Sequence, residues 1–137
     1  MNIDEILNGA KTAFINQQNS SSADFTPKLL YNNRDSKVIN SLRDELRGCD
    51  EFIISSAFIT MGGITPLLEE FRYLESNGIR GKILTTDYLT FTEPKALRKL
   101  NDFKNIEVKL YSQKKEGFHT KGYIFKREDI YHGIVGS

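Results

Sequence analysis

Cysteine and histidine are scarce in this sequence of 137 residues, which contains one cysteine and two histidines. A single cysteine cannot form a disulfide within the chain, and so few thiol and imidazole groups leave no cluster for a structural zinc ion. The cysteine, Cys49, lies between a helix pattern and a strand pattern, where a partly buried small residue is more common than a catalytic thiol. The sequence therefore predicts no metal site and no cofactor.

Long apolar runs are also missing from the sequence. No stretch approaches the roughly 18 consecutive apolar residues that cross a bilayer. The N-terminus lacks the basic start and continuous apolar stretch of a signal peptide. With 39% hydrophobic and 27% charged residues, the composition is typical of one soluble α/β domain. We therefore expect a cytoplasmic protein.

The net charge of the whole chain is only +1, which does not by itself indicate a nucleic-acid binder. The charge is unevenly distributed, however. Residues 104–127 contain seven basic and two acidic side chains, a local net charge of +5. A phosphate-binding surface requires such a concentration, although a solvated lysine-rich loop has the same composition.

Hydrophobic periodicity predicts an amphipathic helix over about the first sixteen residues, followed by a polar break at residues 17–22. This helix is expected either to pack on its own sheet or to contact a partner. We therefore divide the chain into an N-terminal helix and linker, residues 1–24, and an α/β domain, residues 25–137.

Alternating and continuous apolar patterns predict the strands of this domain. They are Leu29–Tyr31, Glu51–Phe58, Gly81–Asp87, Ile106–Tyr111, Gly117–Phe125 and Ile130–Val135. Helices are predicted between the first four of these strands, the second of them capped by Thr65 and begun by Pro66, with Gly62–Gly63 as a loop before it. The order of elements predicts an α/β fold with a mixed β-sheet flanked by helices on both faces, and Glu51–Phe58 as its central, doubly covered strand.

His119 and Lys121 are the residues around which a function can be built. On a strand, residues two apart project from the same face, so the two side chains are expected to point together. An imidazole can attack phosphorus or carry a proton, while a neighbouring ammonium neutralises the developing charge on the phosphate oxygens. The same spacing also occurs by chance on many strands, so the dipeptide alone is a weak signal.

The ordered series of features resembles the phospholipase D-like, or HKD, superfamily of phosphodiesterases and nucleases. The resemblance covers roughly Lys37 to Ser137, and its elements are Ser55–Phe58, Thr86–Asp87, Ile106–Tyr111, Phe118–Phe125 and Gly136–Ser137. Together with residues 85–97, the His-x-Lys segment is similar to an N-terminal module of bacterial DEAD/DEAH-box helicases and of some restriction-like enzymes.

The resemblance implies that His119 is the nucleophile of a phosphohistidine intermediate and that Lys121 holds a non-bridging phosphate oxygen. Ser137 would line the same pocket. Members of the family bring two such motifs together across a pseudo-twofold axis, which implies a homodimer or a second half outside this chain. The helicase or ATPase region of the same longer protein would be a further partner.

The sequence departs from the family pattern in two places. The acid of the longer motif is replaced by Lys126, so the group that orients His119 is not identified; Glu128, Asp129 or an acid beyond residue 137 remain open. The family's Gly-Ser-x-Asn is present only as Gly136–Ser137, which indicates a domain truncated at its C-terminal end. Asp87, at a strand end, is expected either to point into the site or to cap a helix or form the turn.

Two functions follow as hypotheses. The first is a metal-independent phosphodiesterase or nuclease module that acts on DNA as part of a putative helicase. The second is a non-catalytic module of the same fold that holds nucleic acid or docks the motor, with Lys114 and Lys115 in the basic surface. Phospholipid hydrolysis ranks third, because no basic amphipathic membrane face is evident.

Overall fold

The computed structural model describes residues 28–34, 37–112 and 118–136. The predicted N-terminal helix lies outside the described residues. The chain divides into two units, Met1–Val38 and Ile39–Ser137. Residues 28–33 have an irregular backbone, so the predicted strand at Leu29–Tyr31 is wrong. The side chains of Leu29 and Tyr31 are both exposed, so the apolar sequence of this segment does not correspond to a buried strand.

Strands and helices alternate along the second unit as far as the third strand. The helices are α1 (Val38–Gly48), α2 (Met61–Ile64), α3 (Leu68–Ser76) and α4 (Pro94–Asn101), with 3-10 turns at Thr65–Leu67 and Tyr88–Thr90. The strands are β1 (Glu51–Ser56), β2 (Arg80–Thr86), β3 (Ile106–Tyr111), β4 (Lys121–Arg127) and β5 (Ile130–Gly136).

The five strands form one mixed sheet in the order β3-β2-β1-β4-β5. Strands β1, β2 and β3 are parallel, whereas β4 runs antiparallel to β1 and β5 runs antiparallel to β4. The prediction of an α/β fold with a mixed sheet and a central β1 is therefore confirmed.

The hydrophobic core lies on one face of the sheet. Phe52 of β1 and Phe125 of β4 face each other in the register, both fully buried, and Phe52 stacks on Phe71 of α3 with ring centroids 6.1 Å apart. Phe71 in turn meets Phe103, which follows α4, at 5.8 Å. Helix α3 and the segment after α4 therefore cover this face through successive contacts between aromatic rings.

The opposite face does not carry a helical layer formed by the described residues. Ile53, Leu84 and Ile124 project from it, and their side chains are 39%, 37% and 44% exposed. The prediction of helices on both faces is thus not met within residues 37–112 and 118–136. The reason is topological: the connections β1 to β2 and β2 to β3 step in the same direction, and right-handed crossovers that step in one direction place their helices on the same face.

The helical segment after β1 begins earlier than the sequence predicts. The hydroxyl of Thr60 accepts a hydrogen bond from the Gly63 amide at 3.1 Å, so Thr60 is the N-cap and Gly62–Gly63 lie in the first turn rather than in a loop. Pro66 instead lies in the 3-10 turn Thr65–Leu67 that leads into α3. The helix ends at Asn77–Gly78 as predicted, where Gly78 has a φ of +68°.

Candidate active site at the strand ends

The topology brings an end of each of the five strands to one edge of the sheet. The carboxyl ends of the parallel strands β1, β2 and β3 lie at this edge, and the amino end of β4 joins them because β4 is antiparallel to β1. Ser56, the last residue of β1, is directly opposite Lys121, the first residue of β4. Ligands of α/β sheets bind at this kind of edge, beyond the carboxyl ends of the strands.

His119 and Lys121 meet at this edge. Strand β4 begins at Lys121, so His119 precedes the strand, and the prediction that both residues lie on it is wrong by two residues. The side chains are nevertheless neighbours: the Lys121 Nζ lies 3.5 Å from the His119 Nδ1. The segment is held by the backbone, since the Ala57 amide donates to the Thr120 carbonyl at 3.2 Å and extends the pairing of β1 past its last residue.

The two side chains differ in solvent exposure and contacts. His119 is exposed, whereas Lys121 is half-buried. None of the ion pairs among the described residues includes Lys121, while the surface residues Lys95, Lys99 and Lys109 each pair with a carboxylate. No carboxylate of residues 28–34, 37–112 and 118–136 therefore competes with an anion for the Lys121 ammonium at this edge.

Phe58 is the neighbour of His119 that sequence reasoning missed. Its ring meets the imidazole edge-on, with centroids 5.5 Å apart. The chain turns after β1 so that the Ser56 hydroxyl donates to the Phe58 carbonyl at 3.0 Å, which fixes the position of Phe58. The signal available in the sequence was Phe58 itself, an aromatic residue two positions beyond the end of the central strand β1.

No carboxylate among the described residues contacts the ring of His119, so the group that orients the imidazole is not found there. Position 126, where the family pattern places an acid, lies at the other end of β4, about 16 Å along the strand from Lys121. A side chain at that position does not reach His119. The replacement of the acid by Lys126 therefore leaves the immediate surroundings of the imidazole unchanged.

Asp87 follows β2, two strands away from β4, a separation of about 10 Å across the sheet. Its carboxylate accepts a hydrogen bond from the Ser112 hydroxyl just after β3, and its carbonyl accepts from the Thr90 amide. In this arrangement Asp87 joins two strand ends and forms a turn. It lies at the same edge as His119 without touching it.

Three predicted site residues, Lys114, Lys115 and Ser137, lie outside the described residues. The residue before Ser137 is placed, however: Gly136 pairs with Lys121 in the register of β4 and β5. The chain therefore arrives at the His119 edge as it reaches residue 136.

The second histidine belongs to a different cluster. His132 of β5 pairs with Phe125, about 13 Å along β4 from Lys121. Its Nδ1 lies 3.2 Å from a carboxylate oxygen of Glu45, which also pairs with Arg127 at 2.9 Å. His132 thus ties β5 to α1.

Cys49 is buried at 3% exposure, and burial raises the pKa of its thiol to about 11. No group of three or more His, Cys, Asp or Glu side chains suited to a metal ion occurs within residues 28–34, 37–112 and 118–136. Over those same residues, no helix has the length and apolar content to cross a bilayer.

Comparison of the chain with protein-family models gave no match, and comparison with curated proteins gave no match either.

Proposed function

We propose that this chain is a phospholipase D-like phosphodiesterase module that cleaves DNA through a phosphohistidine intermediate, as part of a larger DNA-processing protein such as a helicase. The observation that carries the proposal is the 3.5 Å approach of the Lys121 ammonium to the His119 imidazole at the open edge of the sheet. A nucleophile and a cation that share one solvent-accessible position suit attack on a phosphodiester.

The chemistry divides into two displacements at phosphorus. In the first, a ring nitrogen of His119 forms a P–N bond while the P–O bond to the leaving oxygen breaks, and Lys121 neutralises charge on a non-bridging oxygen. The leaving oxygen takes a proton from a second imidazole. In the second, water gives a proton to that imidazole and attacks phosphorus, and the P–N bond breaks with its electron pair returning to His119.

The second imidazole must come from outside this copy of the chain. The sequence contains only two histidines, and the other, His132, is held by Glu45 about 13 Å along the strand direction. A homodimer, or a second half in the longer protein, supplies the missing group. The described residues provide no carboxylate at the ring of His119, so the acid that orients it in this scheme lies outside them.

A non-catalytic DNA-binding or docking module is the second candidate. It is favoured by the surroundings of His119, whose hydrogen-bond contact among the described residues is with Lys121 rather than with a carboxylate. A lysine near Nδ1 does not favour the tautomer in the way a carboxylate acceptor does. In this candidate Lys121 binds phosphate and no bond is broken.

Hydrolysis by the full-length protein separates the two candidates. His119→Ala is expected to abolish cleavage of DNA and of an aromatic phosphodiester, with an unchanged thermal unfolding midpoint because His119 is exposed. His132→Ala is the matched control and should retain cleavage. Persistent hydrolysis by the His119→Ala protein would contradict the role of His119 as the nucleophile. Failure of the unaltered protein to cleave any phosphodiester would favour the non-catalytic binding module.

Treatment with a chelator provides a second check. The proposed steps use the Lys121 ammonium for charge neutralisation, so hydrolysis should be the same before and after dialysis against EDTA. Loss of activity that is restored by a divalent cation would contradict the scheme.

A further inference from the structure

The loop between β2 and α4, residues 87–92, exposes three large apolar side chains beside the His119 edge. Tyr88, Leu89 and Phe91 are 40%, 57% and 55% exposed. The chain returns into the core immediately afterwards, since Thr92 is buried. The apolar groups of this loop are therefore held outside the core at the edge where the strands end.

The loop is shaped by specific hydrogen bonds rather than by burial of its tip. The hydroxyl of Thr92 donates to the Thr86 carbonyl at 2.7 Å and lies 3.3 Å from the hydroxyl of Thr85. The Tyr88 amide donates to the Thr86 hydroxyl at 3.1 Å. These bonds close the base of the loop and fix where its tip stands.

The tip also adopts a costly backbone conformation. Leu89 and Thr90 have φ values of 55° and 56°, in the left-handed region that non-glycine residues rarely occupy. Such a conformation persists only where surrounding contacts offset its cost, and the Thr90 amide donates to the Asp87 carbonyl at 3.0 Å. The loop thus holds its exposed side chains on a strained backbone whose base is closed by hydrogen bonds.

The ring of Phe58 lies in contact with both Phe91 and His119, the proposed nucleophile. Phe91 meets Phe58 edge-on with centroids 5.0 Å apart, and Phe58 meets His119 at 5.5 Å. A phosphate held by His119 and Lys121 thus lies within reach of a nucleotide whose base contacts Phe91. The chemistry of the occupant follows from this neighbourhood, because a phosphate at the cationic pair and an aromatic face beside it match the two halves of a nucleotide.

We propose that Phe91, with Tyr88 beside it on the same loop, stacks on an unpaired base next to the phosphate at His119 and Lys121, so that the module takes single-stranded DNA. This inference rests on the proposed function and deepens it. A base within a duplex has both of its faces covered by neighbouring pairs, whereas a base in a single strand offers a face to an aromatic side chain.

Binding measurements on full-length protein test the stacking independently of cleavage. Fluorescence anisotropy of a labelled single strand, in the His119→Ala background to prevent hydrolysis, is compared with that of the duplex of the same sequence. Phe91→Ala should weaken binding of the single strand by about 5- to 150-fold, the range found when a stacking aromatic is removed. Binding of the duplex should be weak and unchanged.

Conservative variants separate stacking from general apolar contact. Phe91→Trp keeps an aromatic face and should bind the single strand at least as well as phenylalanine, whereas Phe91→Leu keeps apolar volume and should bind as weakly as alanine. Tyr131→Ala removes an exposed aromatic, 68% accessible, at the opposite end of β5 and should have no effect. Equal binding by the leucine variant and the unaltered residue would indicate an apolar protein contact and overturn the inference.

The outcomes also distinguish this inference from the proposed function. Suppose that His119→Ala abolishes hydrolysis but Phe91→Ala binds the single strand normally, or that the duplex is preferred. The stacking inference is then wrong, and the proposed phosphodiesterase activity is retained. If the Phe91 variants lose single-strand binding while hydrolysis survives His119→Ala, the stacking role of Phe91 is supported and the role of His119 as nucleophile is contradicted.

Discussion

The ring of Phe58 contacts the imidazole of His119 at an interplanar angle of 76°. The turn that follows β1 fixes the position of Phe58 through the hydrogen bond from the Ser56 hydroxyl to the Phe58 carbonyl. The sheet thereby positions a histidine that itself lies just outside a strand. Aromatic contacts of this geometry contribute about 0.5–1.5 kcal/mol beyond simple burial.

Phe58→Leu should therefore lower kcat by about two- to twelvefold, because the imidazole loses the contact that orients it. The steady-state kinetics of an aromatic phosphodiester measure this directly, and KM should change less than kcat. Phe58→Tyr retains the ring and should restore kcat. An unchanged kcat in the leucine variant would show that Phe58 does not position His119.

Replacing Lys121 by methionine keeps most of its length and removes its charge. We expect kcat to fall by about 100- to 1,000-fold, as is typical when a group that stabilises developing charge is removed, with little change in thermal stability. Lys121→Arg should recover part of the rate. Lys109→Met is a matched control, since Lys109 is an exposed strand lysine that already pairs with Glu107 at 3.1 Å. Equal losses in both methionine variants would contradict a specific role.

Phosphate contacts by Lys114 and Lys115 would make DNA binding dependent on salt. Each lysine that contacts phosphate contributes about 0.7 to the slope of log affinity against log salt for a single strand. Lys114→Ala and Lys115→Ala should each weaken binding and flatten that slope, measured by anisotropy over a salt series. Lys99→Ala is the control, because Lys99 pairs with Asp102. An unchanged slope in both variants would contradict phosphate contacts by Lys114 and Lys115.

Gly81 lies where β2 passes the buried ring of Phe52. A Cβ at this position would overlap the ring, which is fully buried and stacked on Phe71. Gly81→Ala should therefore lower the free energy of unfolding by about 1–3 kcal/mol or more, measured by urea denaturation. Gly133→Ala, where nothing lies within 4 Å of the added carbon, should change it by no more than about 1 kcal/mol. Similar values for the two variants would contradict the close approach.

The buried thiol of Cys49 predicts a pH dependence of stability at alkaline pH. Burial raises its pKa from an ordinary 9.0 to about 11 in the folded chain. The folded state therefore retains the proton longer than the unfolded state, and the associated stability is fully present below pH 9 and decreases as the pH rises to 11. Urea denaturation across this interval measures the decrease.

Other groups titrate in the same interval, so Cys49→Ala is the necessary comparison. The unaltered protein should lose more stability than the alanine variant between pH 9 and 11. In addition, the thiol should resist alkylation at neutral pH until the protein unfolds, since the reactive thiolate is disfavoured. Rapid alkylation of the folded protein, or identical pH profiles for the two proteins, would contradict a buried and protonated thiol.

Much of the local structure could be predicted from the sequence, because apolar spacing reports directly on helices and strands. Strand β3 was predicted with its observed bounds, Ile106–Tyr111, and the helix near Pro94 and the end of α3 at Gly78 also agree. Errors occur where local preference was followed without a tertiary partner. Leu29–Tyr31 has a strand composition but no strand, and Thr60 rather than Thr65 caps the first helical turn after β1.

By itself, the sequence determined most of the strands and helices, and it placed an imidazole two residues before the ammonium that begins β4. Only the tertiary structure decided that helices of the described residues share one face, that Phe58 lies against His119, and that Phe91 stands exposed beside them. The physical reason is that side-chain periodicity is a local property, whereas strand order, crossover direction and the meeting of strand ends depend on pairing between residues tens of positions apart.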